Sequence, residues 1–356
     1  MSATNGSTLL RSRSRIIGCA LVAILALSAM FASAAGAAKP PPPKSTYLTL
    51  GDSLAFGYSQ QLFNENVLGG APATAFEHGY ANDYVAIEPH KNNLQLVNLG
   101  CPGETTDSMI GNGPLGSAVD PTGTSPCGYH KAGFPLHHEY GGDKSQLESA
   151  LEMLAVEAGS GTPVTKLTLN IGANDELQTI GKCKTEVATE FGTGGKSKYG
   201  ATPEEALKNC ILSHVPALFE HILTNIGTAL FVLRKGAEFG SINYAGAIVV
   251  QGSYDPYGNV FGTGELLAES NSLAGALNLE ESKVVAKFGA CYANPQSKFN
   301  PRNKNEPTKL QAYTNMANTK EDLGKKFGEE GADGPDIHPT PLGYEVLAKV
   351  MKQQSE

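Results

Sequence analysis

Tyr-Leu-Thr-Leu-Gly-Asp-Ser-Leu, residues 47–54, is the stretch that decides the fold of this 356-residue chain. Its first half predicts a short strand that breaks at Gly51, and Ser53 follows directly, before a predicted helix. Three more short apolar runs, at residues 95–99, 166–171 and 247–250, each end at or just before a glycine. Short apolar strands separated by helical stretches predict a parallel sheet covered by helices, a three-layer α/β/α fold.

Three longer segments have helical spacing of their apolar residues. Residues 144–157 predict a helix with Asp143 as its N-cap. Residues 203–233 predict a long helical region interrupted by Pro216. The chain ends in a predicted helix over residues 341–353, which has a proline in its first turn.

The composition indicates a globular protein and argues against binding to nucleic acid. Hydrophobic residues make up 40% of the chain and charged residues 17%, which is typical of a globular protein. The formal net charge is −8, and no sustained basic run occurs outside the extreme N-terminus. We therefore expect no nucleic-acid partner.

The N-terminus has the pattern of a targeting segment. A cluster of arginines at residues 11–15 precedes residues 16–38, which carry no charge and end in small side chains. We predict a signal peptide at residues 1–38 and a secreted protein, with a retained membrane anchor as the alternative. A proline-rich spacer (39–45) and a single folded domain (46–356) follow, with loop insertions predicted near 111–142 and 183–210.

Export makes disulfides the expected state of the cysteines. Six cysteines occur in the chain, and five remain after the predicted signal peptide. We expect pairs between Cys101 and Cys127 and between Cys183 and Cys210, which leaves Cys291 over. No cysteine or histidine spacing fits a zinc site.

Histidines and a glutamate also cluster in the first predicted insertion. His130, His137, His138 and Glu139 match no standard metal-ligand spacing and are interpreted as solvated loop residues. We expect no metal and no cofactor.

Polar residues follow three of the predicted strands. Ser53 follows the first, the turn with Gly103 follows the second, and Asn174 follows the third. Since ligands bind at the carboxyl ends of strands in open α/β sheets, these residues are expected to share one site. Taken alone, each has an ordinary structural interpretation: Ser53 as a helix cap, and the other two as turn residues.

His338 completes the set of groups that acyl transfer needs. A serine nucleophile requires a base, which is usually a histidine oriented by a carboxylate. His338 lies on a loop before the last predicted helix, with Asp333 and Asp336 close by. Gly103 can offer an unobstructed backbone N–H, and Asn174 a side-chain N–H, to a developing oxyanion.

Four segments in this order resemble the motif blocks of the GDSL, or SGNH, hydrolase superfamily. They are Thr-Leu-Gly-Asp-Ser-Leu at 49–54, Pro-Gly-Glu-Thr at 102–105, Gly-Ala-Asn-Asp at 172–175 and Asp-Ile-His-Pro at 336–339. The resemblance implies a flavodoxin-like fold, with Ser53 as nucleophile and His338 as base. It also implies an oxyanion hole made by the N–H groups of Ser53 and Gly103 and the side chain of Asn174.

One position departs from the family pattern. The acid usually stands three residues before the histidine, and Pro335 occupies that position here. Asp336 is predicted to orient His338, with Asp333 or a backbone carbonyl as the alternatives.

The resemblance implies an esterase or lipase that acts on small-molecule or lipid esters through an acyl-enzyme. The alternatives are an acyltransferase or deacetylase of cell-wall or glycan esters, and a binding protein that has lost catalysis. A lipid or cell-wall ester as substrate would bring the protein to a membrane or cell-wall surface, and a monomer is expected.

Overall fold

A computed structural model gives the structure of the protein. It describes residues 44–60, 62–63, 70, 72–111, 134–141, 144–256, 265–301, 308–317 and 336–355. Contacts group the chain into two units, residues 1–41 and 42–356, and every described residue belongs to the second. The predicted signal peptide and most of the predicted spacer therefore lie outside the described residues.

Five parallel strands form the centre of the described domain. They are β1 (Ser45–Gly51), β2 (Leu94–Asn98), β3 (Val164–Asn170), β4 (Ala247–Gln251) and β5 (Cys291–Ala293). Their order across the sheet is β2-β1-β3-β4-β5. This is the strand order of flavodoxin-like doubly wound folds. The predicted parallel sheet is confirmed, and β5 is an addition, because three residues are too few to form an apolar pattern in the sequence.

Helices cover both faces of the sheet. They are α1 (Ser53–Phe56), α2 (Tyr80–Ile87), α3 (Thr106–Ile110), α4 (Gln146–Ser160), α5 (Ala173–Gly194), α6 (Pro203–Arg234), α7 (Glu265–Lys287), α8 (Gln296–Phe299), α9 (Thr308–Tyr313) and α10 (Pro341–Ser355). One face of β1, with Leu48 and Leu50, joins a core with α4 and α6. Tyr47 on the other face packs in a second core with α2 and α10. The predicted three-layer α/β/α arrangement is therefore confirmed.

Two helices differ from the sequence prediction. The N-cap of α4 is Ser145 and not Asp143, because Ser145 and Glu148 form a reciprocal capping box. α6 continues through Pro216 without the predicted interruption. Proline removes one backbone hydrogen bond from a helix, and burial of the flanking turns, including Ile211 and Ile222, offsets that loss.

The predicted loop insertion at 183–210 is instead largely helical. It comprises the end of α5, a short connection and the start of α6, and a disulfide joins Cys183 to Cys210 across the two helices. Its glycines and threonines mask the helical pattern, and the two helices gain stability from packing on each other. In the other predicted insertion, residues 112–133 and 142–143 lie outside the described residues, while Phe134 and Leu136 are buried in the core.

The disulfide between Cys183 and Cys210 confirms one predicted pair. Cys101 is also disulfide-bonded, and Cys291 is free and exposed. The partner of Cys101 lies outside the described residues, as does Cys127, its predicted partner.

Within the described residues, α6 is long and apolar enough to cross a membrane by length and composition alone. Its residues Ile226, Leu230 and Leu233 are buried in the main core, as in a helix that packs against a sheet.

Candidate active site

The candidate site lies at the carboxyl edge of the sheet, around the end of β1. Ser53 follows β1 directly, and β1 lies between β2 and β3. The turn with Gly103 follows β2 and Asn174 follows β3, so all three predicted residues come to the same edge. Ser53, Gly103, Asn174 and His338 are each partly exposed, whereas most of their immediate neighbours in the chain are buried.

The turn between β1 and α1 presents the serine. Gly51 has a φ of +136°, and a Cβ placed there would lie 1.9 Å from the Asn170 carbonyl oxygen, so this position requires glycine. Asp52 is the N-cap of α1, and its Oδ1 accepts a hydrogen bond from the Leu54 N–H at 2.9 Å. The structural interpretation of Ser53 as the cap is therefore wrong, and the Ser53 hydroxyl is available for another contact.

That contact is with the predicted base. The Ser53 Oγ lies 2.8 Å from His338 Nε2, although the two residues are 285 positions apart in the chain. His338 Nδ1 lies 2.6 Å from Asp336 Oδ1. A carboxylate only accepts hydrogen bonds, so Nδ1 carries the proton and Nε2 accepts one from the Ser53 hydroxyl.

Asp336 is held as an anion by its surroundings. Its Oδ1 also accepts from the His338 backbone N–H at 3.0 Å, and its Oδ2 accepts from the Gln60 backbone N–H at 3.0 Å. Burial opposes ionisation of this carboxyl. The favourable electrostatic interaction with His338 and these hydrogen bonds outweigh burial, so the pKa of Asp336 lies below its ordinary value.

The position of Asp336 two residues before His338 is compatible with this geometry. The strap of residues 336–338 curls so that one carboxylate oxygen meets both the backbone N–H and the ring of His338. Asp333, the other carboxylate considered as the acid, lies outside the described residues, as does Pro335, which occupies the usual position of the acid.

Residues from other elements support the strap. The Tyr254 hydroxyl donates to the Ile337 carbonyl at 2.7 Å, and the Asn315 backbone N–H donates to the His338 carbonyl at 2.9 Å. The ring of Tyr58 lies 4.6 Å from the imidazole of His338 between centroids. Only the fold brings Tyr254, Asn315 and Tyr58 to the strap, since each lies outside it in the chain and no motif in the sequence marks them.

The two predicted oxyanion donors are tied together. Gly103 has a φ of +81°, in the left-handed region that favours glycine. Asn174 Nδ2 donates to the carbonyl of Glu104, the next residue after Gly103, at 2.9 Å. This bond uses one of the two protons of the Asn174 amide and leaves the second for a substrate oxygen.

A second link joins the same two turns. Asp175 accepts hydrogen bonds from the Thr106 backbone N–H at 3.0 Å and from the Thr106 hydroxyl at 2.6 Å. The turn after β2 and the start of α5 are therefore fixed to each other by side chains on both sides of Gly103 and Asn174.

The other clusters of possible ligands belong elsewhere. Among the described residues, one group has metal-ligand proximity, Cys183, Cys210 and His214, and both sulfurs are joined in the disulfide. His137 was interpreted as a solvated loop residue, and this is wrong. Its Nε2 donates to the Phe56 carbonyl at 2.9 Å, and burial lowers its pKa. His130 lies outside the described residues.

The four segments that resemble the GDSL/SGNH motif blocks thus converge on one edge of the sheet. No family model matches the sequence, and no curated protein matches it. Solved structures do match the fold, at low sequence identity.

One is phospholipase A1 from Streptomyces albidoflavus, with 16% identity and a TM-score of 0.49, covering 87% of this chain and 99% of that one. Another is an extracellular lipase from Streptomyces rimosus, with 14% identity and a TM-score of 0.47, covering 87% and 99% of the two chains. A carbohydrate acetylesterase family member from Sinorhizobium meliloti has 12% identity and a TM-score of 0.41, covering 87% and 96%.

Proposed function

We propose that this protein is a serine ester hydrolase of the GDSL/SGNH type, with Ser53 as nucleophile, His338 as base and Asp336 as the orienting acid. The observation that carries the proposal is the continuous hydrogen-bonded series from Asp336 through His338 to Ser53. Nucleophile, base and orienting carboxylate in this geometry are the groups that activate a serine hydroxyl.

In the first half of the reaction, Ser53 Oγ attacks the ester carbonyl carbon and its proton passes to His338 Nε2. The C–O bond to the alcohol then breaks, and His338 returns the proton to the departing alkoxide. An alcohol leaves, and the acyl group remains on Ser53. Asp336 stabilises the imidazolium that forms between the two proton transfers.

In the second half, water attacks the acyl-enzyme and gives its proton to His338. The bond from the acyl carbon to Ser53 Oγ breaks, the serine recovers the proton, and the carboxylic acid departs. In both halves, negative charge develops on the former carbonyl oxygen. The N–H groups of Ser53 and Gly103 and the Asn174 amide are the donors proposed to receive it.

An acyl-enzyme mechanism of this kind acts on carboxylic esters. The proposed substrates are small-molecule or lipid carboxylic esters, and neither a cofactor nor a nucleic acid takes part. The disulfide between Cys183 and Cys210 supports an oxidising compartment, and with the predicted signal peptide it supports secretion.

Covalent labelling tests the proposal. A fluorophosphonate probe is expected to label the wild-type chain and to leave Ser53→Ala unlabelled. Ser59→Ala is a matched control, because this serine lies close in sequence and contacts only the Leu62 N–H through its hydroxyl among the described residues. Wild-type protein that does not label under conditions where known serine esterases do would refute the hydrolase assignment.

The same variants decide between substrate classes. p-Nitrophenyl esters of increasing acyl length, assayed beside acetylated glycans, are expected to show turnover that Ser53→Ala abolishes. Turnover confined to acetylated glycans would favour the deacetylase alternative.

A further inference from the structure

Asp52 carries a carboxylate oxygen that its capping role does not explain. The side chain is 1% exposed, and its Oδ1 caps α1 through the Leu54 N–H. Its Oδ2 is buried and has no hydrogen-bond partner among the described residues. An N-cap needs one acceptor atom, and asparagine or serine supplies it as well as aspartate does. The second oxygen therefore calls for another role.

The groups that interact electrostatically with Asp52 come from five elements. They are the buried hydroxyls of Tyr80 of α2, Tyr254 after β4 and Tyr344 of α10, the carboxylate of Asp175 of α5, and the imidazole of His338 on the strap.

None of the three hydroxyls satisfies the free oxygen. Tyr254 donates to the Ile337 carbonyl, Tyr344 donates to the Tyr58 carbonyl at 2.6 Å, and Tyr80 bonds to the Thr49 hydroxyl at 3.1 Å. Asp52 thus carries a buried carboxylate oxygen that no described group satisfies, one residue before Ser53, whose Oγ lies 2.8 Å from Nε2 of His338. Burial raises the pKa of Asp52 to about 7, so its charge changes near neutral pH.

We propose that Asp52 is a second carboxylate acting on His338: a positioning residue whose negative charge stabilises the histidine once it has taken the serine proton. This inference rests on the proposed function, because His338 gains that proton only if Ser53 is the nucleophile. Asp336 holds the imidazole through its Nδ1, whereas Asp52, which precedes Ser53 in the chain, acts on it by charge alone and not by a hydrogen bond. Ionisation of Asp52 would therefore increase activity as the pH rises through neutrality.

The test compares pH profiles of wild type and Asp52→Asn. Asparagine keeps the capping oxygen for the Leu54 N–H and removes the charge. With p-nitrophenyl butyrate followed at an isosbestic wavelength, kcat/KM of Asp52→Asn is expected to be about tenfold below wild type above pH 8. The two profiles are expected to merge below pH 6, where wild-type Asp52 is already neutral. Asp52→Ser, which also keeps an N-cap oxygen, is expected to behave in the same way.

Glu157→Gln is the control for removing a buried carboxylate. Glu157 is 8% exposed, lies near the end of α4 and bonds to Thr46 and Thr162, away from the strap. Its profile is expected to parallel that of wild type. A ratio of wild type to Asp52→Asn that stays constant from pH 5 to 9, whether unity or not, would overturn the inference, because a purely structural role gives no pH dependence.

Failure of the proposed function gives a different result. If wild-type turnover is the same as that of Ser53→Ala, the hydrolase assignment fails and the role of Asp52 fails with it. If turnover depends on Ser53 and the ratio is flat, only the role of Asp52 is refuted.

Discussion

Asp336 illustrates how a single residue can fill a role from an unexpected position. It precedes His338 by two residues, yet one of its oxygens meets the Nδ1 of that histidine and the backbone N–H of the same residue. The Gln60 N–H occupies the other oxygen and stops the carboxylate from rotating away. The acid is therefore held by backbone groups from two distant parts of the chain.

Asp336→Asn is expected to lower kcat by roughly 10³–10⁴, because an amide at this position favours the wrong tautomer of His338. Asparagine keeps an oxygen that can accept from Gln60, so the melting temperature is expected to change little. Steady-state kinetics with a p-nitrophenyl ester measures the first effect and thermal unfolding the second. Activity within tenfold of wild type would show that another group orients the histidine.

Among the helices, α5 and α6 connect the site to the rest of the fold. α5 begins with the residues that carry the Asn174 amide and the Asp175 carboxylate, and it returns through α6. Asn225 of α6 donates to the Thr106 hydroxyl at 3.0 Å and to Asp107 Oδ1 at 2.9 Å. Side chains of both α5 and α6 therefore hydrogen-bond to the segment that follows β2. The disulfide joins the same two helices farther from the site.

Replacing Cys183 and Cys210 by serine is expected to reduce stability with little effect on the chemical step. The bridge spans a sequence separation of 27 residues, and closing a loop of that size is worth about 3 kcal/mol in the chain-entropy model. Urea unfolding of the double variant measures the loss, and kcat at 25 °C is expected to stay within about threefold of wild type. A large fall in kcat with unchanged stability would show that the bridge acts on the site directly.

At the scale of the whole molecule, buried carboxyls make stability depend on pH. Burial raises the pKa of Asp52 to about 7 and that of Glu281 to about 8. Both groups are protonated in the folded chain at a pH where the unfolded chain has already lost those protons. Their contribution to stability is complete below about pH 4 and is lost as the pH rises to 7 or 8.

The free energy of unfolding is therefore expected to fall between pH 5 and pH 8, by roughly 3 kcal/mol for each carboxyl. Urea titrations at several pH values measure this slope. Glu281→Gln keeps an acceptor for the Tyr292 hydroxyl, which donates to Glu281 at 2.8 Å, and is expected to flatten part of the slope. A stability that rises over this range in both proteins would contradict the assignment of these groups as neutral when buried.

Several features of this protein could be read from the sequence alone. Short apolar strands, each ending at a glycine turn, predicted the parallel sheet, because period, length and turn chemistry are local properties. The motif order then placed Ser53, Gly103, Asn174 and His338 at strand and helix boundaries. Local patterns failed where stability comes from packing: the helical hairpin across 183–210, the unbroken α6 and the three-residue β5.

Tertiary structure alone decided which groups touch. The folded sheet brings His338 to Ser53 across 285 positions of the chain. It also brings Tyr254 and Asn315 into hydrogen bonds with the strap of residues 336–338. The tertiary structure also decided that Asp52, rather than Ser53, caps α1, because the Asp52 carboxylate accepts from the Leu54 N–H while the Ser53 hydroxyl contacts His338. Composition and spacing specify which chemical groups are present, whereas burial and direction, which set their pKa values and partners, exist only once the chain has folded.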